Sequence, residues 1–234
     1  MLNSIIERNK LTKPLNETEI KIIKSAIKLF LENGYSKTTL RKISDDCGML
    51  QGRVAYHFHT KEDMLHILIQ ELMDYHGNMI DNFHTEVKDN LLAYAMEIAA
   101  QISLCDRCEK VWDLYYSAYT HPATFIIIKD WAARKNYLLL HRWVPDWNET
   151  KFREIENITS CIELSAFTTP TDKSYTLEHK ITDVLDSVMK IYDIPEKDRK
   201  ETIKKVLALD YEKISKDMFD KFAKRLDNEI ENLE

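Results

Sequence analysis

The chain has 234 residues, of which 44% are hydrophobic and 31% charged, with a formal net charge of -6. That length allows one large unit or a small one joined to a larger, and the composition excludes a disulfide-stapled microdomain, a fibrous chain and a disordered one. The acidic total, with a pI near 5.8, argues by itself against a nucleic-acid binder.

Only four glycines occur, Gly34, Gly48, Gly52 and Gly77. Tight βαβ turns and phosphate-cradling loops draw on glycine, so the scarcity favours an all-α fold over Rossmann or P-loop chemistry. Four cysteines are too few for a disulfide scaffold, and no apolar run reaches the roughly 18 residues of a membrane span. The best candidate for a span, Leu91 to Leu104, is shorter and contains Glu97. A protein of the reducing cytoplasm is expected, with no cofactor and no metal.

In chain order, residues 1–16 are polar and read as a flexible arm. From Glu17 to Asn33 the apolar residues Ile20, Ile23, Ile27 and Phe30 keep to one helical face, and Gly34 is suited to a left-handed helix end. Thr38 or Thr39 caps a short helix through Asp46, and Cys47-Gly48-Met49 supplies the tight turn before another short helix carrying Val54 and Phe58 inward. Thr60 and Asp63 form a capping-box pattern at the start of a long helix to about Phe83. Further helices are expected near 88–104, 107–119, 122–143, 149–168, 176–193, 196–209 and 211–232. Along the last one, Tyr211, Ile214, Met218, Phe222, Leu226, Ile230 and Leu233 form a seam, suited to packing on its own domain or on a second chain.

Charge is unevenly spread along this series. Residues 1–61 hold eleven Lys or Arg against six Asp or Glu, a net +5, which leaves -11 for the rest. A basic helix-turn-helix unit has the electrostatic footprint of a DNA reader, because cations that neutralise phosphates release condensed counterions.

The run Glu19 to Leu65 resembles the DNA-binding domain of the TetR family of bacterial transcriptional regulators. The resemblance is carried by Leu29-Phe30-Leu31-Glu32-Asn33-Gly34-Tyr35, by Thr38-Thr39-Leu40-Arg41-Lys42-Ile43, and by Cys47-Gly48-Met49, Gly52 to Val54 and Tyr56 to Leu65. Two positions depart from the family: Leu50 stands where Ser or Thr usually caps the recognition helix, and Ala55 where an aromatic residue often meets the backbone. The resemblance implies a homodimer with a DNA-binding domain over 17–60 and a helical effector-binding and dimerisation domain over 61–234. Gln51 and Arg53 are then suited to base edges, and Gly52 to close backbone approach. Tyr56 and His57 match phosphate-binding positions, with Thr39 and Lys61 clamping the neighbouring strand.

The second part is more ambiguous. An aromatic segment from Val111 to Trp147 offers Trp112, Tyr115, Tyr116, Tyr119, His121, Trp131 and Trp143 as lining for a flat, amphipathic or cationic ligand, or as ordinary core. Cys105 and Cys108 share a helical face and form, with Cys161 or His121, either a thiolate metal or redox site or a pair of buried thiols. Ile155, Ile158, Ile162 and Phe167 on one helix, and Ile181, Val184, Leu185, Val188 and Ile191 on the next, are expected to pair with their symmetry mates in a four-helix bundle.

Together these features suggest a ligand-responsive repressor whose dimer sets two recognition helices about 34–36 Å apart on a palindromic operator of double-stranded DNA. A small-molecule effector would release it by shifting the helix over 60–83. The rivals are a metal- or redox-sensing regulator that uses Cys105 and Cys108, and a helical enzyme that modifies a small molecule. The latter lacks a paired nucleophile and base.

Overall fold

The computed structural model of the protein describes residues 15–87 and 89–231, and among them every regular element is helical. The reading of residues 1–16 as an arm falls almost wholly outside this range, as does Leu233 of the C-terminal seam.

The first helix, α1 (Glu17–Asn33), starts at a capping box in which Asn16 Oδ1 accepts from the Glu19 N–H and Glu19 accepts from the Asn16 N–H, at 3.0 and 2.8 Å. It ends at Gly34, which has φ +88° and ψ 155°. Positive φ was expected, but this is the extended region open almost only to glycine, not the left-handed helical one. The chain thereby turns away from the helix axis. Two short helices follow, α2 (Leu40–Asp46) and α3 (Gln51–His57). Thr39 is the cap of α2, its Oγ1 accepting from the Lys42 N–H at 3.2 Å. Thr38 is fully buried instead, and its hydroxyl donates to the carbonyls of Leu29 and Gly34. Gly48, with φ +66°, makes the turn between the two helices. Ile22, Ile23, Ala26, Phe30, Ile43, Val54 and Leu65 close the small core that α1 to α3 share with α4 (Lys61–Val87). Thr60 and Asp63 form the expected capping box at its start.

The body is organised around α5 (Asn90–Arg107), on which 14 residues are buried. A helix apolar on every side belongs at the centre of a protein. Its alanines, Ala93, Ala95, Ala99 and Ala100, let neighbours approach, and it touches α4, α6 (Glu109–Thr120), α7 (Pro122–Leu140), α8 (Glu149–Thr168), α9 (Leu177–Ile191), α10 (Glu196–Ala208) and α11 (Tyr211–Glu231). The apolar run at 91–104 is thus this central helix, and no helix among the described residues is long and apolar enough to cross a membrane.

The expected dimer seam requires correction. Ile155, Phe167, Ile181, Val184, Leu185 and Val188 are buried within the single chain, where α9 packs against α5, α8 and α10. Of the proposed stripes Ile158 stays exposed, while Ile162 and Ile191 are half-buried. Periodicity correctly identified buried faces, but their partners lie in the same chain. In α11, Tyr211 and Phe222 likewise pack inward; Phe222 meets the Tyr75 ring at 5.1 Å, and the Tyr75 hydroxyl donates to the Met218 carbonyl. Segment 196–231 therefore covers α5.

Candidate nucleic-acid interface and effector site

The inner face of α3 is anchored by Val54, with Phe58 just beyond its end, which leaves Gln51, Gly52, Arg53 and Tyr56 exposed on one outer surface. Open space surrounds Gly52 where a Cβ would stand, so a flat partner can approach the backbone there. Among the described residues Arg53 makes a 3.3 Å contact with Thr18, and Thr39 is exposed beside its cap. His57 is half-buried, its Nδ1 3.2 Å from Glu19 Oε1. Leu50 caps nothing, as expected, but is 83% exposed, matched by Tyr56 at 80%. Leu50 and the exposed Arg41 on α2 extend the surface beyond the residues selected from sequence.

Lys61 is differently placed. Its Nζ donates to the carbonyls of Tyr35 and Thr38 at 2.9 and 3.2 Å and sits 3.9 Å from the centre of the Tyr35 ring. Desolvation holds its pKa below the usual lysine value. Its ammonium thus fixes the loop that presents Thr39.

The same loop joins α1–α3 to the body. Asp113 of α6 accepts from the Ser36 backbone N–H at 2.7 Å and from the Ser36 hydroxyl. A Cβ on Gly34 would stand 2.8 Å from Asp113 Oδ2, so glycine is required here by space as well as by φ. Lys37 pairs with Glu109 at 3.0 Å. On the other side of the joint the Tyr35 hydroxyl donates to Glu62, which also lies 3.5 Å from His121. Burial opposes the charge of Glu62, yet Tyr35, its own backbone N–H, His121 and Thr60 together hold its pKa below the ordinary value.

The seven aromatic and histidine candidates fall in separate places. Trp112 stacks on the exposed Tyr116 at 5.3 Å and lines a groove of about 170 Å³ at the joint with Gly34, Ser36 and Asp113. His121 is at the same joint. Tyr115 and Tyr119 point inward, each meeting the Phe167 ring edge to face. Trp131 lies beneath the Lys135 ammonium at 4.8 Å. Trp143 is apart from the others, covered by Arg142.

What brings Tyr119 and Trp131 together is a polar interior not selected from sequence. Lys135 of α7 pairs with the buried Glu97 of α5. Glu156 of α8, 1% exposed, accepts from Asn136 Nδ2 at 2.6 Å, Tyr192 at 2.5 Å, Thr159 at 3.1 Å and Ser160 at 3.4 Å. Glu163, two helical turns further along α8, accepts from the Tyr119 hydroxyl at 2.8 Å. Burial, reinforced by Glu156, pushes the Glu163 pKa up to about 8. The signal was present: Phe152, Glu156, Thr159, Ser160, Glu163 and Phe167 share one face of α8, on which only the polar members are unexpected.

Cys105 is buried and its thiol pKa is pushed up by desolvation, while Cys108 is half-buried at the junction of α5 and α6. Both properties oppose thiolate chemistry at Cys105. Among the described residues no three His, Cys, Asp or Glu side chains are grouped as metal ligands.

Comparison with known proteins places these features. A family model described as bacterial regulatory proteins, tetR family, matches residues 22–68. The uncharacterized HTH-type transcriptional regulator YerO of Bacillus subtilis is 39% identical over 51 residues, 22% of this chain and 18% of that protein. The fatty acid metabolism regulator protein of the same organism is 31% identical over 88 residues, 36% of this chain and 44% of that protein. The matched region thus spans less than half the length of these curated relatives. The crystal structure of RolR in complex with resorcinol shares the fold, with a TM-score of 0.62 and 15% identity, covering 78% of this chain and 91% of that one.

Proposed function

We propose, from the match of residues 22–68 to bacterial regulatory proteins of the tetR family, that this chain belongs to that family and is a DNA-binding transcriptional repressor released by a small-molecule effector. The observation that carries this reading is the joint at Gly34 to Lys37. One short helix, α6, holds the DNA-facing loop through Asp113 and the polar interior through Tyr119. Six residues of helix separate them, about 9 Å.

The protein acts as a homodimer on a palindromic operator. In each protomer α3 enters the major groove, where Arg53 takes the N7 and O6 edge of guanine and Gln51 the N6 and N7 edge of adenine. Gly52 admits the backbone, and Thr39, Tyr56 and His57 take phosphates. Lys61 serves the same surface indirectly by fixing the loop before Thr39. The +5 charge of residues 1–61 attracts DNA and the -11 of the remainder keeps the body away from it. An effector that repacks Tyr119 displaces α6, and Asp113 carries the displacement into the head. Release follows if the effector binds more tightly to the displaced state than to the operator-binding state. That RolR, a protein of this fold, is seen with resorcinol supports a small-molecule effector.

The test is a fluorescence anisotropy titration of labelled duplexes at physiological salt, comparing palindromes selected from a random pool with scrambled DNA. Specific sites should bind at least about 10³-fold more tightly. Equal affinity for both overturns the reading.

A further inference from the structure

We propose that the polar interior between α5, α6, α7 and α8 binds an organic cation, a protonated amine on an apolar or aromatic body. This deepens the reading above and rests on its placing of the effector in the body.

Three carboxyl groups, Glu97, Glu156 and Glu163, converge there from two helices, and among the described residues Lys135 supplies an ammonium beside them. Lys135 pairs with Glu97, and Glu156 is satisfied by four neutral donors. Glu163 has the Tyr119 hydroxyl. Two further groups point to something absent. The Tyr94 hydroxyl and Asn136 Oδ1 are buried without a hydrogen-bond partner, in residues only 1% and 3% exposed. Buried polar groups left without partners are costly and uncommon. Tyr94 is close enough to Glu97, Glu156 and Glu163 for all three to act on its ionisation. An acceptor, a hydroxyl and a carboxyl all open to a donor make a site for N–H groups carrying positive charge.

The walls suit the same ligand. Lys135 Nζ lies 4.8 Å from the Trp131 ring and 5.8 Å from the Tyr94 ring, so the interior already stabilises an ammonium between aromatic faces. Glu163, Trp131 and Lys135 are half-buried, whereas Glu156, Tyr94 and Asn136 are buried beside them. An anion would face three carboxyl groups with the ammonium already engaged. A neutral ligand would leave Glu163 as the uncharged acid and draw nothing from its carboxylate.

Glu163 is faced by Glu156 on its own helix, Lys135 from α7, Glu97 and Tyr94 from α5, and Tyr119 and Tyr115 from α6. Near neutral pH it is held mainly as the acid. A cation that enters displaces the carboxyl proton to water, and the resulting carboxylate keeps the Tyr119 hydrogen bond. Affinity for the cation therefore rises as pH rises from 6 towards 8 and levels off above.

The experiment uses three probes of one shape: 4-phenylbutylamine, 4-phenylbutanol and 4-phenylbutyrate, titrated into the full-length protein and followed by tryptophan fluorescence. At pH 8 the amine should bind at least about tenfold more tightly than either other probe, with the preference shrinking towards pH 6. In Glu163→Gln, whose folding is checked by thermal unfolding, the amine and the alcohol should bind within about twofold. Equal or tighter binding of the alcohol or carboxylate overturns the proposal, as does failure of the amine to bind at millimolar concentration. A charge preference that persists in Glu163→Gln does so too. Should that variant not fold, a wild-type preference independent of pH is decisive against it. Loss of specific operator binding with the amine preference intact strikes only the repressor reading. The reverse result strikes only this one.

Discussion

Removing the carboxylate that joins the two parts of the molecule should loosen the head and weaken its response to the body. Asp113 is 9% exposed and accepts two hydrogen bonds from Ser36, one from the backbone and one from the hydroxyl. A hydrogen bond to a charged group contributes roughly 1.5–3 kcal/mol when little screened by solvent. Ser36→Ala removes the hydroxyl bond alone and should cost about 1–2 kcal/mol, since Ser36 itself is exposed. Asp113→Ala removes both bonds and should cost about 3 kcal/mol. For a chain of this length each kcal/mol lowers Tm by roughly 2–4 °C, so the expected drops are about 4 and 9 °C. The double variant should fall short of the sum by about 1–2 kcal/mol, because the hydroxyl bond can be lost only once. Thermal unfolding of the four proteins measures this cycle. Operator titration of Asp113→Ala should then show affinity within about threefold of wild type without effector, and a smaller drop when effector is added. Additivity within about 0.5 kcal/mol, together with an unchanged effector response, would refute the joint.

Other expectations follow from neighbouring geometry. Gly34→Ala introduces a Cβ 2.8 Å from Asp113 Oδ2 at φ +88°, and should destabilise by about 1–3 kcal/mol in the same unfolding assay. Glu163→Gln should stabilise the unliganded protein increasingly as pH rises. The raised pKa of about 8 means that the folded state holds a proton between the ordinary carboxyl pKa and pH 8 that the unfolded chain releases, so wild-type stability declines across that window. A gain in Tm larger at pH 8.5 than at pH 5 is expected from unfolding scans, and equal gains would contradict it. Arg53→Ala should relax base preference at one operator position by about 1–3 kcal/mol with little change in Tm. Lys61→Met, by contrast, should lower Tm by several degrees, because two loop carbonyls lose their donor; an unchanged Tm would mean that Lys61 does not hold the loop.

The head was legible because each of its turns carries a local signal. Asn33-Gly34, Thr39, Cys47-Gly48 and the pair Thr60 and Asp63 each depend on residues within four positions of one another. The polar interior was not legible, since Glu97, Lys135, Glu156 and Tyr192 are spread over nearly a hundred residues and meet only through packing. The stripes on α8 and α9 fall between these cases. Spacing shows that Val184 and Val188 are buried, but the covering surface, here α5 and α10, is set by the whole fold. The aromatic segment shows the same limit, as of the neighbours in sequence Tyr115 and Tyr116 one is buried and the other exposed.

The central position of α5 has a consequence for how such a protein changes over time. With seven helices against it, a larger side chain at Ala95 or Ala99 would push several of them at once, whereas a change at Tyr119 or Glu163 alters one wall of the interior. Under the proposed function, new ligand preferences are therefore accessible through α6, α7 and α8, while α5 is the fixed axis against which those helices can drift without losing their alignment to α1–α3.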